Sequence, residues 1–336
     1  MTHKRWVAVA LATLVFVSSF IIPNVADLMT TQEAEEESNS LFQNLMNEAA
    51  DVTVLEDGNP ESRVALIEVE GVIADQESSP LAAATYNHKK TLIDLEAMKT
   101  DETVDALILR VNSPGGGVYE SAELKDKILE VKEARDIPVY TVMGSTAASG
   151  GYYVAAPSEK IYAHAETLTG SIGVIMQGLN TSEFLDKLGI EDQTIKSGDL
   201  KDMGSATREA NKEELAVLQQ LIDNSYERFI DVVEAGRPLS REKIYELADG
   251  RIYDGQQAVE NGLVDELGYF DDALLDLREN YSLEDAQLVK FGAAESNWLN
   301  QLFLNIEGLS SKEKSILPAM NDYGEAPELH YLYGGL

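Results

Sequence analysis

Ser149 stands in the run Gly144-Ser145-Thr146-Ala147-Ala148-Ser149-Gly150-Gly151-Tyr152, directly after an apolar stretch ending at Met143. A serine at a strand-to-helix turn flanked by small residues has room for a sharp elbow, and the Gly150 N–H at the helix start can stabilise an oxyanion. The chemistry this would support is acyl transfer by a serine nucleophile. A plainer reading competes with it: a serine capping a tightly packed helix. A second glycine-rich segment, Asn112-Ser113-Pro114-Gly115-Gly116-Gly117, also ends a strand pattern and opens a helical one. Its backbone N–H groups are free to face a developing negative charge. It lacks the Lys-Ser/Thr ending of a phosphate loop, and a structural turn fits it as well as an anion hole does.

A nucleophilic serine needs a base. The chain has no cysteine, which excludes a thiolate nucleophile, disulfides and thiolate metal sites, and it has four histidines: His3, His88, His164 and His330. His3 precedes an apolar segment, His330 lies in the tail, and neither His88 nor His164 sits beside a recognisable acid partner, so a Ser-His-Asp arrangement is weakly supported. Lysine is the remaining route. An ordinary lysine, with a pKa near ~10.4, is neutral in on the order of one molecule per thousand at pH 7. Lowering that pKa by about three units takes roughly 4 kcal/mol of desolvation or like-charge strain. A third segment, Thr169-Gly170-Ser171-Ile172-Gly173-Val174, is followed by Lys196-Ser197-Gly198-Asp199-Leu200-Lys201-Asp202, which offers Lys196 and Lys201. Asp199 and Asp202 would favour the charged form of Lys201 if they faced it, so a Lys201 base requires both to point elsewhere. For either lysine, a solvated surface charge is the competing reading.

These segments need a frame to converge. Apolar runs of five to eight residues alternate with helical patterns: Val64 to Val69, Leu92 to Met98, Ala106 to Val111, Ala122 to Val131 and Pro138 to Met143. That order predicts an α/β fold of stacked β-α units. Ala106-Leu107-Ile108-Leu109-Arg110-Val111 is almost continuously apolar, as a parallel strand covered on both faces would be. Each glycine segment then falls at a strand end, where open α/β sheets place their sites. Leu215, Leu218, Ile222, Tyr226, Phe229 and Val233 recur every three or four residues before Gly236 and Pro238, predicting one long helix with a stop, its stripe serving as core or subunit interface.

The composition sets the compartment and class. With 26 Lys and Arg against 59 Asp and Glu, the formal charge of −33 disfavours nucleic acid and other polyanions as partners, while 44% hydrophobic residues argue for a folded body. Residues 6–22 carry no charge, follow His3, Lys4 and Arg5, and precede Asp27 and the Glu33 to Glu37 cluster. An ideal helix over them would rise about 25 Å, near the short limit for a membrane span. The positive-inside rule then puts the N-terminus in the cytoplasm and the body outside, in the cell membrane as a single-pass protein. A cleaved secretory signal is the alternative, but Asn24-Val25-Ala26 fits a cleavage site poorly. The expected organisation is a tip and anchor at 1–26, an acidic linker at 27–60 with a short amphipathic stripe around Leu41 to Met46, one catalytic domain at 61–296, and an extended C-terminal extension at 297–336.

In combination these residues resemble the bacterial signal peptide peptidases, membrane-anchored serine proteases that share the Clp protease and crotonase superfamily fold. The likeness covers roughly Arg63 to Phe291. Asn112 to Gly117, Ala147 to Tyr152, Thr169 to Val174 and Gly198-x-x-Lys201 occur in the family's order, and Ala258 to Asp265 is similar to the helix-to-strand segment that follows the superfamily's core. The resemblance implies Ser149 as nucleophile, Lys201 as general base, Ser171 as a serine orienting the lysine, and an oxyanion hole from the N–H groups of Gly116 and Gly150, with Gly115 as the alternative to Gly116. Met203-Gly204-Ser205 departs from the Ser-Pro pair that many relatives carry after the lysine, and Lys196 is the fallback base. The implied mechanism needs no metal or cofactor. Implied partners are signal peptides freed after preprotein processing, the membrane, and further copies of the chain in a homo-oligomeric ring with shared clefts. The tail ending Leu332-Tyr333-Gly334-Gly335-Leu336 is expected to enter a neighbouring cleft as self-substrate or plug. An acyl-thioester lyase or hydrolase on the same fold and a non-enzymatic membrane scaffold are the competing functions.

Overall fold

The computed structural model describes residues 52–75 and 86–292, together with the backbone of a short strand at 330–332. The apolar stretch 6–22, the stripe around Leu41 to Met46 and most of the extension 297–336 lie outside the described residues. Three long parallel strands form the centre: β2 (Asn59–Glu70), β3 (Val104–Ser113) and β5 (Val139–Ala148). They contain the apolar runs predicted as strands. β1 (Val52–Glu56) and β10 (Ala286–Phe291) extend the sheet beyond β2, while β6 (Lys160–Ala163) and β9 (Glu266–Leu267) extend it beyond β5. β1 falls within residues 27–60, the segment assigned above to the linker. β7 (Leu168–Gly170) runs parallel to the end of β5 and is backed by antiparallel β8 (Ile252–Asp254).

Side-chain alternation decides what covers each face. Val64 and Leu66 of β2, Ala106 and Ile108 of β3, and Tyr140 and Val142 of β5 pack with Ala273, Leu274 and Leu277 of a helix at Phe270–Tyr281. The residues of opposite parity, Ala65, Ile67, Leu107, Leu109 and Val111, are buried too. So are Leu95 and Met98 of α1 (His88–Thr100) and Leu124, Ile128 and Val131 of α2 (Val118–Arg135). Both faces of β3 are therefore dry from Ala106 to Leu109, which is why this stretch is continuously apolar. Each such buried aliphatic side chain stabilises the fold by about 1.5–3 kcal/mol relative to exposure. This mixed α/β architecture with a central sheet fits the expected Clp/crotonase-like class.

Among the described residues, six helices follow β5. α3 (Gly150–Ala155) begins right after Ser149, α4 (Ser182–Lys187) has no buried residue, and α5 (Lys212–Gly236) is the long helix read from the stripe. α6 (Arg241–Leu247) and α7 (Gly255–Asn261) precede α8, the Phe270–Tyr281 helix. α5 starts with a reciprocal cap, Asn211 with Glu214, and ends where Gly236 presses on α3's end: a Cβ there would lie 2.0 Å from the Ala156 carbonyl oxygen. Phe229 and Val233 are core, with Phe229 edge-on to Tyr153 at 5.0 Å. Leu215, at the other end of the stripe, is exposed. Between Gly173 and Ala210 the chain leaves the sheet and carries exposed Leu179, Phe184, Leu188 and Ile195, the last 99% exposed.

Candidate active site

β5 and β7 pair in parallel up to Ala148 and Gly170, and the next residue on each strand is a serine with a left-handed φ: 53° at Ser149 and 49° at Ser171. Adjacent strands lie about 4.8 Å apart, so two polar side chains emerge at neighbouring strand ends. The Ser149 N–H donates to the Gly170 carbonyl at 2.8 Å, and the Ser171 N–H to the Arg251 carbonyl at 2.8 Å. With ψ at −117°, Ser149 occupies a conformation that costs a side-chain-bearing residue about 1–3 kcal/mol and persists only where its surroundings over-determine it. A capping serine has an extended backbone and accepts a bond from the second or third helical N–H. Ser149 does neither. The capping interpretation of this serine therefore fails, while the elbow geometry of a serine nucleophile remains.

Glycines let the surrounding backbone close on this turn. A Cβ on Gly150 would lie 2.5 Å from Ser121 Oγ and 3.1 Å from both Gly115 Cα and the Gly116 nitrogen, and one on Gly151 would lie 2.7 Å from the Ser113 carbonyl oxygen. The first turn of α3 is thus pressed against the second glycine segment, which forms the short strand β4 (Gly115–Gly117). On one edge of β4, Ile73 N–H donates to Gly115 O and Gly117 N–H donates to Ile73 O, both at 2.9 Å. By strand alternation the N–H and carbonyl of Gly116 face the other edge. A Cβ on Gly116 would fall 2.0 Å from the Ile73 carbonyl oxygen, so only glycine fits. Ser113, fully buried, accepts the Gly115 N–H on its hydroxyl at 3.1 Å and shapes the turn. Sequence reasoning gave no role to Ile73 or Ser113; the signal available for Ile73 was its place just past Gly71, which adopts φ 94°.

The free edge of β4 is taken by the chain's own C-terminal region. β11 (His330–Leu332) runs antiparallel to β4, with Tyr331 opposite Gly116, and its backbone also reaches α2 and α3. Residues 330–332 are the part of the tail that is described, and they pair with β4 of the same chain. Ser149 is 1% exposed.

The glycine edge, Ser149, Gly150 and Ser171 come together; the lysines stand apart in the Gly173 to Ala210 excursion. Lys196 Nζ donates to Asp202 Oδ1 at 2.7 Å and to the Asp199 carbonyl at 2.9 Å. Arg208 grips Asp202 as well, through Nε at 2.9 Å, and joins it to the buried carboxylate of Glu214. Arg208 first, then Lys196, holds the Asp202 carboxyl well below the usual carboxylate range; Arg208 and the Asn211 N–H lower that of Glu214 to about 2. Lys196 Nζ is thereby held by Asp202 and the Asp199 carbonyl. Both Asp202 carboxylate oxygens are engaged by these contacts, Oδ1 by Lys196 and Oδ2 by Arg208. Lys201 itself is exposed, its N–H closing a turn onto Gly198 O at 3.1 Å, and among the described residues its ammonium forms no ion pair.

The description peptidase family S49 matches residues 132–284. The chain is 42% identical to a protein of Enterococcus faecium named as the signal peptide peptidase SppA, with all of both chains covered. It is 44% identical over 63% of its length to a Synechocystis protein named as a protease, covering 72% of that protein. It is also 32% identical over 83% of its length to Protease 4 of Haemophilus influenzae, of which it spans 48%. Identity sustained from one terminus to the other decides the matter: the chain belongs to peptidase family S49, and it is a serine protease.

Proposed function

We propose that the chain is a membrane-anchored endopeptidase that degrades signal peptides released after preprotein processing. Ser149 is the nucleophile, Lys201 the general base, Ser171 the residue orienting that base, and the N–H groups of Gly116 and Gly150 the oxyanion hole. The observation that carries this reading is the backbone of Ser149, strained, buried and unused as a cap, at the junction of β5 and the glycine edge. Lys201 Nζ takes the Ser149 hydroxyl proton as Oγ bonds to the substrate carbonyl carbon; the carbonyl oxygen becomes an oxyanion facing the two N–H groups. The lysine proton then passes to the leaving amine, the C–N bond breaks, and water releases the acyl group.

The antiparallel seating of β11 on β4 supports an extended peptide as the ligand, held by backbone bonds along a strand edge. The dry surroundings a lysine base needs are not built around Lys201 by the single chain. In this reading a second copy supplies them, covering the exposed apolar excursion within a homo-oligomeric ring. The anchor is residues 6–22, the protease domain runs from β1 to residue 296, and 297–336 is the extension. Labelling with a fluorophosphonate probe tests the dyad: loss of labelling in both Ser149→Ala and Lys201→Ala is expected. Labelling that persists in either variant defeats it.

A further inference from the structure

The pairing of β3 with β5 is irregular just before the nucleophile. Val111 pairs with Met143, but Ser113 pairs with Ala147, so Gly144, Ser145 and Thr146 stand opposite Asn112 alone. This is a bulge with two extra residues on β5, and bulges beside active sites re-aim the residues that follow. Side chains on both flanks hold it. Asn112 Oδ1 accepts the Ser145 hydroxyl at 2.9 Å and the Thr146 N–H at 3.2 Å. From the other flank, the Thr167 hydroxyl donates to the Gly144 carbonyl at 2.7 Å and the Thr169 hydroxyl to the Ala147 carbonyl at 2.6 Å. Gly144 also leaves space for the amide: a Cβ there would lie 2.9 Å from Asn112 Cβ.

We infer that Asn112 is a positioning residue for Ser149, its side-chain carbonyl fixing the length of the β5 bulge and hence where the strand delivers the nucleophile against the glycine edge. The inference rests on Ser149 being the nucleophile. Without the Asn112 acceptor, the Thr146 N–H has no ladder partner on β3 and the strand is drawn toward a different register. A shift of about 1 Å at the reacting atom is enough for a rate loss on the order of 100-fold. The Asn112 amide nitrogen matters less, since its bond to Glu70 Oε1 is 3.5 Å long.

The test is the rate constant for fluorophosphonate acylation per titratable site, measured on the full-length protein alongside its thermal midpoint. Asn112→Leu removes the acceptor at similar volume and is expected to acylate about 100-fold more slowly. Asn112→Asp combined with Glu70→Gln keeps an acceptor for Ser145 and Thr146, avoids two facing carboxylates, and is expected to recover most of the rate. Thr167→Val loosens the bulge from the other flank, is milder if Asn112→Leu folds poorly, and should move the rate in the same direction. Folded Asn112→Leu sites reacting at the wild-type rate, or a Thr167→Val rate unchanged where Asn112→Leu does not fold, would overturn the positioning role. So would a double variant no faster than Asn112→Leu. Labelling that survives Ser149→Ala would instead overturn the nucleophile assignment on which this stands.

Discussion

Ser149 combines three properties that rarely coincide: a left-handed backbone, near-complete burial and a hydroxyl that caps no helix. The strain is local, so it can be separated from the chemistry. Ser149→Ala and Ser149→Gly both abolish a nucleophile, but only glycine relaxes at φ 53° and ψ −117°. Ser149→Gly is expected to be more stable than Ser149→Ala by about 1 kcal/mol, part of the relief being offset by glycine's greater freedom in the unfolded chain. Urea denaturation of the two variants measures this, and equal stabilities would show that the turn is not strained. Gly116 and Gly150 carry the converse constraint, because neither position has room for a methyl group against Ile73 or Ser121.

At the scale of elements, the site is an edge between two short pieces of backbone, β4 and the first turn of α3, held by Ile73 on one side and by the β5 bulge on the other. The excursion that bears Lys201 is held differently, by charge. Lys196, Asp202, Arg208 and Glu214 form a chain of ion pairs that ends at the cap of α5. Both carboxyls have native pKa values below their unfolded ones. The stability they contribute is therefore present above about pH 4 and is lost as the pH falls toward the native values, about 2 for Glu214. Cleavage by pepsin within residues 196–214 is expected to stay slow at pH 4 and to rise toward pH 2, whereas Arg208→Ala is cut readily at pH 4. Similar cleavage of the two proteins at pH 4 would mean that the ion pairs do not hold this segment.

For the molecule as a whole, the sheet buries its helices on both faces but leaves one flank unfinished. Phe184, Leu188 and Ile195 of the excursion and Leu221 of α5 are exposed, as are Leu179 and Leu215, which line a groove of about 330 Å3 with Met176, Leu218 and Ile222. In the proposed homo-oligomeric ring this flank is the surface that a second copy covers. Under that proposal, paired Phe184→Asp and Ile195→Asp substitutions are expected to lower the sedimentation coefficient and to slow Ser149 acylation, with the thermal midpoint of the protomer nearly unchanged. A wild-type chain that sediments as a monomer and still acylates would end the shared-site reading.

Local pattern was enough for much of this protein. The apolar runs of β2, β3 and β5 identify themselves because a strand dry on both faces cannot alternate, and the α5 stripe follows from helical period and a glycine stop. The glycine segments announced turns for the same reason: backbone that approaches backbone at these distances excludes a Cβ. What local pattern could not convey is who stands beside whom. That Ser149 meets Ser171, that Ile73 grips β4, and that Asn112 braces a bulge all depend on parallel pairing between strands distant in sequence, whose register is set by packing across the sheet. The choice between Lys196 and Lys201 is of the same kind. Identical in type and five positions apart, they differ only in their neighbours, and Asp202, itself held by Arg208, takes Lys196 through contacts that form only once the chain has folded.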